Sequence, residues 1–187
     1  MRVRGVFAML IKPDQSCLIV IDVQERLVPA MQAPARVIRN TRTLMTAAAK
    51  LGIPILLTEQ YPKGLGHIVP ELQDLAAGGT VLEKMHFSCM NEPAFADAFK
   101  ALNRRQAVIV GMEAHICVMQ TGVDLMEQGF EIFVVTDATA SRTLESEKAC
   151  LDRLSAAGAG IVTTEMVVFE WLGRAGTPEF KELLQKI

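Results

Sequence analysis

The sequence predicts a three-layer α/β sandwich, in which a parallel sheet lies between two layers of helices. Short β-branched runs alternate with longer segments of helical periodicity, several of these runs are apolar on both faces, and glycine follows several helical segments. Strands that are apolar on both faces and separated by helices require a parallel sheet covered on each side. Half of the 187 residues are apolar, which is enough for one sizeable core, so we expect a single domain over residues 1–187.

The predicted elements alternate along the chain. The strands are predicted over residues 17–23, 54–58, 80–83, 107–110, 131–136 and 160–163. The helices are predicted over residues 35–51, 92–102, 117–128, 146–157, 166–172 and 178–186. Gly52, Gly129 and Gly158 follow three of these helices, as expected of helix C-termini. Residues 59–79 form the least regular stretch, and we expect an active-site loop there.

Composition restricts the classes of ligand and the compartment. The formal net charge is −2 and lysine and arginine form no run, so we expect neither nucleic acid nor an anionic membrane surface as a partner. No apolar run approaches the length of a membrane span, and the N-terminal segment is not a convincing signal peptide. The four cysteines have no CxxC spacing, which favours free thiols over disulfides or a zinc site. We therefore expect a cytoplasmic protein that acts on a small molecule.

Cys117 is the most informative residue for chemistry. It follows an apolar strand that ends at Gly111, and it precedes a helical pattern. The free N–H groups and the dipole of a helix N-terminus favour a thiolate, so we expect the pKa of this thiol to be lowered. Cys117 is therefore a candidate nucleophile, although a buried apolar cysteine is the alternative.

Asp22 and Lys84 follow the first and third predicted strands. In open parallel sheets the ligand site lies beyond the carboxyl ends of the strands. Asp22 is there either a turn cap or a general base, and Lys84 is either a solvated surface residue or a charged member of the site.

Three segments, in this order and spacing, resemble the isochorismatase-like cysteine hydrolase superfamily: IDVQ at Asp22, EKMHFSCM at Lys84 and VIVGMEAHICVMQTGVDLMEQGFEIFVVTDATASR at Cys117. The likeness covers residues 14–170, and TEQYPKGLGH further resembles the isochorismatase domain-containing subgroup. The resemblance implies a six-stranded sheet of order 3-2-1-4-5-6, a homo-oligomer and a catalytic triad of Asp22, Lys84 and Cys117. It also implies a cis peptide bond from Met112 to Glu113 and an oxyanion hole made by the backbone N–H groups of Glu113 and Cys117.

The implied reaction is hydrolysis of an amide or ureido C–N bond. Lys84 would favour the thiolate of Cys117, which attacks the carbonyl, and Asp22 would carry the proton. No cofactor is expected. The Asp-x-His metal motif of nicotinamidases is replaced here by Thr58-Glu59-Gln60-Tyr61, so we expect no metal. His67 is interpreted as a loop hydrogen-bonding residue, His86 as a neighbour of the site and His115 as part of the turn before Cys117.

Residues that flank the three motifs are candidates for a mixed apolar substrate pocket. They are Gln24, Leu27, Tyr61, Phe87 and Ile116. The alternative is that they belong to the core. Phe169 and Trp171, in the segment MVVFEWL, are interpreted as helix packing or subunit contact.

Two other classes of protein stay open at this point. A redox protein would use Cys117 as a peroxidatic or sensor thiol, and it would need a resolving partner. A noncatalytic binding or scaffold protein would keep the fold and lose the productive geometry. A dinucleotide enzyme is disfavoured because no GxGxxG follows the first strand.

Overall fold

The computed structural model describes residues 9–185. Its strands are β1 Ser16–Ile21, β2 Ile55–Gln60, β3 Thr80–Lys84, β4 Gln106–Met112, β5 Glu131–Ala140 and β6 Gly160–Val162. Its α-helices are α1 Pro34–Lys50, α2 Pro62–Leu65, α3 Pro70–Ala76, α4 Pro93–Ala101, α5 Met119–Glu127, α6 Leu144–Ala157, α7 Thr164–Leu172 and α8 Pro178–Leu183. Short 3₁₀ turns lie at Val28–Ala30 and Cys89–Asn91, and a π-helical turn, Ala114–Val118, leads into α5.

The six strands form one parallel sheet in the order β3-β2-β1-β4-β5-β6. This order and the layers of helices confirm the predicted fold class. The sheet separates two apolar cores, one shared with α1, α3, α7 and α8, and the other with α4, α5 and α6. Central strands β1 and β4 are buried along their whole length, which explains their continuous apolar sequences. Among the helices of residues 9–185, none has the length and apolar character needed to cross a membrane.

The prediction of an irregular loop over residues 59–79 was wrong in part. Strand β2 continues to Gln60, and two short helices follow. Pro62 and Pro70 begin these helices, where the missing N–H of proline has no helical partner to lose. These two prolines therefore mark helix starts within the stretch that was predicted to be irregular.

The predicted end of the fifth strand, at residue 136, was also wrong. The register between β4 and β5 shifts between Ile109 and Gly111, and β5 runs on to Ala140. The carboxylate of Asp137 is accommodated because its Oδ1 accepts hydrogen bonds from the backbone N and the Oγ1 of Thr164. The predicted end of the last helix, at residue 186, lies outside the described residues.

Candidate active site

Asp22 lies directly after β1, at the carboxyl edge of the sheet. Its φ is +52°, a left-handed conformation that aspartate tolerates better than most residues. The side chain is fully buried, and its Oδ1 accepts a hydrogen bond of 2.7 Å from Thr58 Oγ1 on the neighbouring strand. Its Oδ2 lies 2.7 Å from Lys84 Nζ. A buried carboxylate held in this way is ion-paired and fixed in orientation, rather than a solvated cap.

Lys84 ends β3, and its ammonium is buried among acceptors. Besides Asp22, the Nζ atom lies 2.5 Å from Gln60 Oε1 and 3.3 Å from each of the carbonyl oxygens of His86 and Phe87. Burial alone would lower the pKa of Lys84, but the Asp22 carboxylate and the nearby thiols outweigh it and raise this pKa above its ordinary value. Lys84 is therefore a buried cation at neutral pH and not a surface lysine.

Cys117 lies in the π-helical turn at the start of α5, as the sequence predicts for a residue near a helix N-terminus. Its Sγ is 3.4 Å from Lys84 Nζ, and the residue is 5% exposed. The three residues proposed as a triad therefore meet at one point, although they come from three different strand ends. The peptide bond between Met112 and Glu113, just before this turn, is cis.

The expectation that the pKa of Cys117 is lowered was wrong. Burial raises the pKa of this thiol to about 12, the Asp22 carboxylate raises it as well, and the cation of Lys84 lowers it without compensating. The helix N-terminus is a smaller effect than burial beside an anion. The thiol of Cys117 is therefore protonated in the resting protein at neutral pH.

This geometry predicts opposite effects of two substitutions on the alkylation of Cys117 by iodoacetamide, which reacts with the thiolate only. Asp22→Asn removes the anion that raises the thiol pKa, so labelling at pH 7 should become faster. Lys84→Met removes the cation that lowers it, so labelling should become slower. The rate at Cys117, measured by peptide mass spectrometry as a function of pH, checks both.

Asp152→Asn is the matched control, because Asp152 is an exposed carboxylate that pairs with Lys148 on α6. It should leave the labelling of Cys117 unchanged. An Asp22→Asn protein that labels more slowly than the wild type at every pH would contradict the electrostatic account of this thiol.

The segment that follows Lys84 is held by Glu92, a residue that no sequence motif singled out. Glu92 Oε1 accepts hydrogen bonds from the backbone N–H groups of Met85 and His86, at 2.7 and 2.9 Å, and lies 2.8 Å from His86 Nδ1. The two backbone donors lower the pKa of Glu92 to about 2. This carboxylate fixes the turn from which His86 and Phe87 present their carbonyl oxygens to the ammonium of Lys84.

Gln24 is fully buried and exposes no surface that a substrate could contact in this structure. Its side-chain amide is occupied by the backbone of Gln60 and by the carbonyl oxygen of Gly66. Gln60 contacts Lys84 directly, and the sequence marked it only as a departure from a metal motif. A glutamine at the end of a strand has no distinctive pattern, so its role is visible only once β2 and β3 are adjacent.

The three histidines each have a local partner. His67 Nδ1 lies 3.0 Å from Glu59 Oε2, His86 contacts Glu92, and His115 Nδ1 lies 2.9 Å from Ser141 Oγ. Across residues 9–185, no three histidine, cysteine or acidic side chains converge in a way that could hold a metal ion.

The other residues predicted for the pocket differ in exposure. Tyr61 and Phe87 are 48% and 54% exposed, while Leu27 and Ile116 are half-buried. The backbone places the two aromatic residues beside Lys84, since Tyr61 N donates to Lys84 O and Phe87 O accepts from Lys84 Nζ. Ile116 directly precedes Cys117 in the π-helical turn.

The two aromatic residues of α7 differ in their burial. Trp171 is buried in the core and its Nε1 donates to Ser16 Oγ at 3.3 Å, which confirms helix packing. Phe169 contacts Phe180 edge to face and keeps an exposed surface.

This chain matches a known protein family, and it is similar in sequence and in structure to known proteins. Residues 16–166 match the Isochorismatase domain family. The chain is 36% identical over 171 residues to isochorismatase domain-containing protein 1 of Salmo salar, with 91% of this chain aligned, and it spans 60% of that protein's length. It is 38% identical over 168 residues to isochorismatase domain-containing protein 2 of Danio rerio, covering 90% of this chain and 84% of the relative.

Two solved structures share the fold over nearly the whole chain. The MAR1 ribonuclease of Caenorhabditis elegans is 37% identical, with a TM-score of 0.90 over 96% of this chain and 92% of its own. The YcaC protein of Escherichia coli, described as an octameric hydrolase of unknown specificity, is 24% identical, with a TM-score of 0.90 over 95% of this chain and 90% of its own.

The sheet order, the extent of the family match and the sequence identity to these relatives agree with one another. The chain belongs to the isochorismatase family and has its hydrolase fold.

Proposed function

We propose that the protein is a cysteine-dependent hydrolase that cleaves the C–N bond of a small amide or ureido compound through a thioester. The observation that carries this proposal is the buried contact of one ammonium with both a carboxylate and a thiol. Lys84 Nζ lies 2.7 Å from Asp22 Oδ2 and 3.4 Å from Cys117 Sγ. A nucleophile, a proton acceptor and a charge that stabilises the developing thiolate are thus within reach of one reacting carbon.

In the first half of the reaction, the sulfur of Cys117 attacks the substrate carbonyl while Asp22 accepts the thiol proton. The carbonyl π electrons move to oxygen, and the backbone N–H groups of Glu113 and Cys117 hold the oxyanion. The oxyanion then collapses, the C–N bond breaks, and Asp22 returns the proton to the leaving nitrogen. Ammonia or an amine departs, and a thioester is left on Cys117.

In the second half, water attacks the thioester and Asp22 accepts a proton from it. Breakdown of the second tetrahedral species expels the sulfur, which regains the proton from Asp22. The net reaction consumes one water and yields a carboxylic acid, or a carbamic acid from a ureido compound. Lys84 stays protonated throughout, because the two anions that alternate beside it are Asp22 and the sulfur.

We further propose that Leu27, Tyr61, Phe87 and Ile116 line the entrance to Cys117. Their apolar surfaces favour an uncharged substrate. The nearby cation of Arg142 is already paired with Glu113, at 2.8 Å. Gln24 belongs to the support of the site rather than to its lining.

The experiment that tests this function is a screen for ammonia release from small primary amides and ureido compounds, with Cys117→Ala as the blank. Release by the wild type and none by the blank supports the proposal, whereas equal release by both contradicts it. A parallel series with EDTA tests independence from metal, because a metal-dependent hydrolase would lose its activity.

A second candidate function is ribonuclease activity, which is favoured by the name of the 37% identical relative from Caenorhabditis elegans. The net charge of −2 and the apolar entrance argue against a polyanionic substrate. An RNA substrate belongs in the same screen. Cleavage of RNA that Cys117→Ala abolishes would favour this candidate over amide hydrolysis.

We also propose that the protein is a cytoplasmic homo-oligomer. The octameric state of the YcaC protein motivates the proposal of a homo-oligomer. The exposed apolar side chains of Met166 and Phe169 on α7 are a surface on which subunits could meet. Light scattering at micromolar concentration should give a mass of two or more times the 20.5 kDa of one chain. A monomer of that mass would remove this part of the proposal.

A further inference from the structure

Lys84 has to reach across a neighbouring strand to take part in the proposed reaction. In the sheet order, β3 carries Lys84, β2 comes next, and β1 and β4 carry Asp22 and the turn with Cys117. Adjacent strands are about 4.8 Å apart, so the lysine side chain has to pass over the end of β2 to meet its partners. A long, flexible side chain in this position needs a group on β2 to fix its end.

Gln60 is the residue of β2 that lies directly opposite Lys84 in the parallel register. Its Oε1 is 2.5 Å from Lys84 Nζ, shorter than the 2.7 Å from Nζ to Asp22 Oδ2. The orientation of the amide is determined, because its Nε2 donates to the carbonyl oxygen of Met85 at 2.9 Å. The amide oxygen can therefore face only the ammonium while this hydrogen bond is made.

Gln24 fixes Gln60 in turn. Gln24 Oε1 accepts from the backbone N of Gln60 at 2.8 Å, and Gln24 Nε2 donates to the backbone O of Gln60 at 3.0 Å. Gln24 Nε2 also donates to Gly66 O at 2.6 Å, which ties the following loop to the same amide. Both glutamines are buried, so these hydrogen bonds do not compete with bulk water.

We propose that Gln60 is a positioning residue that holds the ammonium of Lys84 within reach of Cys117, against the stronger pull of the Asp22 carboxylate, and that Gln24 supports it. Without the neutral oxygen of Gln60, the strongest acceptor left to the ammonium is Asp22. The ammonium would then move towards the carboxylate and away from the sulfur, which is already its more distant partner at 3.4 Å. This inference rests on the proposed function, since it assigns the role through Lys84.

The test uses two substitutions and a readout that needs no substrate. Gln60→Met keeps the length of the side chain and removes both polar atoms, while Gln60→Leu removes them with a shorter, branched side chain. Both should slow iodoacetamide labelling of Cys117 at pH 8 by about tenfold, because the thiolate loses stabilisation by Lys84. On an amide that the wild type hydrolyses, Gln60→Met should lower kcat about 100-fold with little change in KM.

Gln73→Met is the matched control, because the Gln73 amide donates to Ile68 O at 3.1 Å, in the same region but away from Lys84. It should leave the labelling rate and kcat unchanged. Thermal melting of each variant shows whether it is folded, and Gln60→Leu serves if Gln60→Met is not. A folded Gln60 variant that labels at the wild-type rate would overturn the positioning role. If no wild-type hydrolysis is found, the proposed function fails, and the labelling rate still decides the inference about Gln60.

Discussion

Cys117→Ala, Asp22→Asn and Lys84→Met should each lower kcat by about a thousandfold or more, because in the proposed mechanism each removes one part of a unit that acts in a single step. Loss of the sulfur removes the proposed nucleophile. Asparagine at position 22 keeps the shape and cannot carry the proton, and methionine at position 84 keeps the length and lacks the charge. Steady-state ammonia release on the substrate found in the screen is the measurement.

The combined variants test whether the three residues share one step. The Asp22→Asn, Cys117→Ala double variant should be little worse than either single variant, since the remaining residue has nothing left to assist. Lys148→Met is the control, because Lys148 forms an exposed ion pair with Asp152 and should leave kcat unchanged. Losses that simply multiply would show that the residues act independently.

Gly111→Ala should destabilise the protein strongly. Gly111 has a φ of +113°, and a Cβ at this position would lie 2.0 Å from the carbonyl oxygen of Ile21. Since Ile21 immediately precedes Asp22, the backbone that must move is that of the candidate active site. We expect the free energy of unfolding to fall by roughly 3 kcal/mol or more. In a chain of this size such a loss lowers Tm by about 6 to 12 °C.

Gly129→Ala is the comparison that distinguishes the steric clash of an added Cβ from the strain of a positive φ. Gly129 also has a positive φ, of +88°, but a Cβ there would meet no atom within 4 Å. It should cost only about 1 kcal/mol, from the strain of the left-handed backbone. Differential scanning calorimetry of both variants is the measurement, and equal losses of Tm would contradict the close approach at Gly111.

The sequence was sufficient for those parts of the fold and site that depend on local pattern. The continuous apolar runs at β1 and β4 predict buried parallel strands, and a polar residue at a strand end predicts a place at the ligand edge. Asp22 and Lys84 are at this edge because the sheet is parallel. Their pairing with Cys117 was implied by the resemblance of three segments to a family, and the structure brings the three side chains together.

What the sequence did not predict depends on contacts between distant segments. The role of Gln60 requires β2 to lie next to β3, and the role of Glu92 requires the turn after Lys84 to fold back on the start of α4. The direction of the pKa shift at Cys117 was missed for the same reason. Position at a helix start is a local property, whereas burial beside Asp22 is set by the tertiary structure.

The most direct test of the proposed mechanism is detection of the acyl group on Cys117 during turnover. A reaction of the wild type with its amide substrate, quenched in acid within the first turnovers and digested, should show the peptide with Cys117 heavier by the mass of the substrate acyl group. The adduct should disappear as substrate is exhausted, and it should not form in Cys117→Ala. Hydrolysis that proceeds in Cys117→Ala, or an acyl group found on Cys89 instead of Cys117, would contradict the central claim.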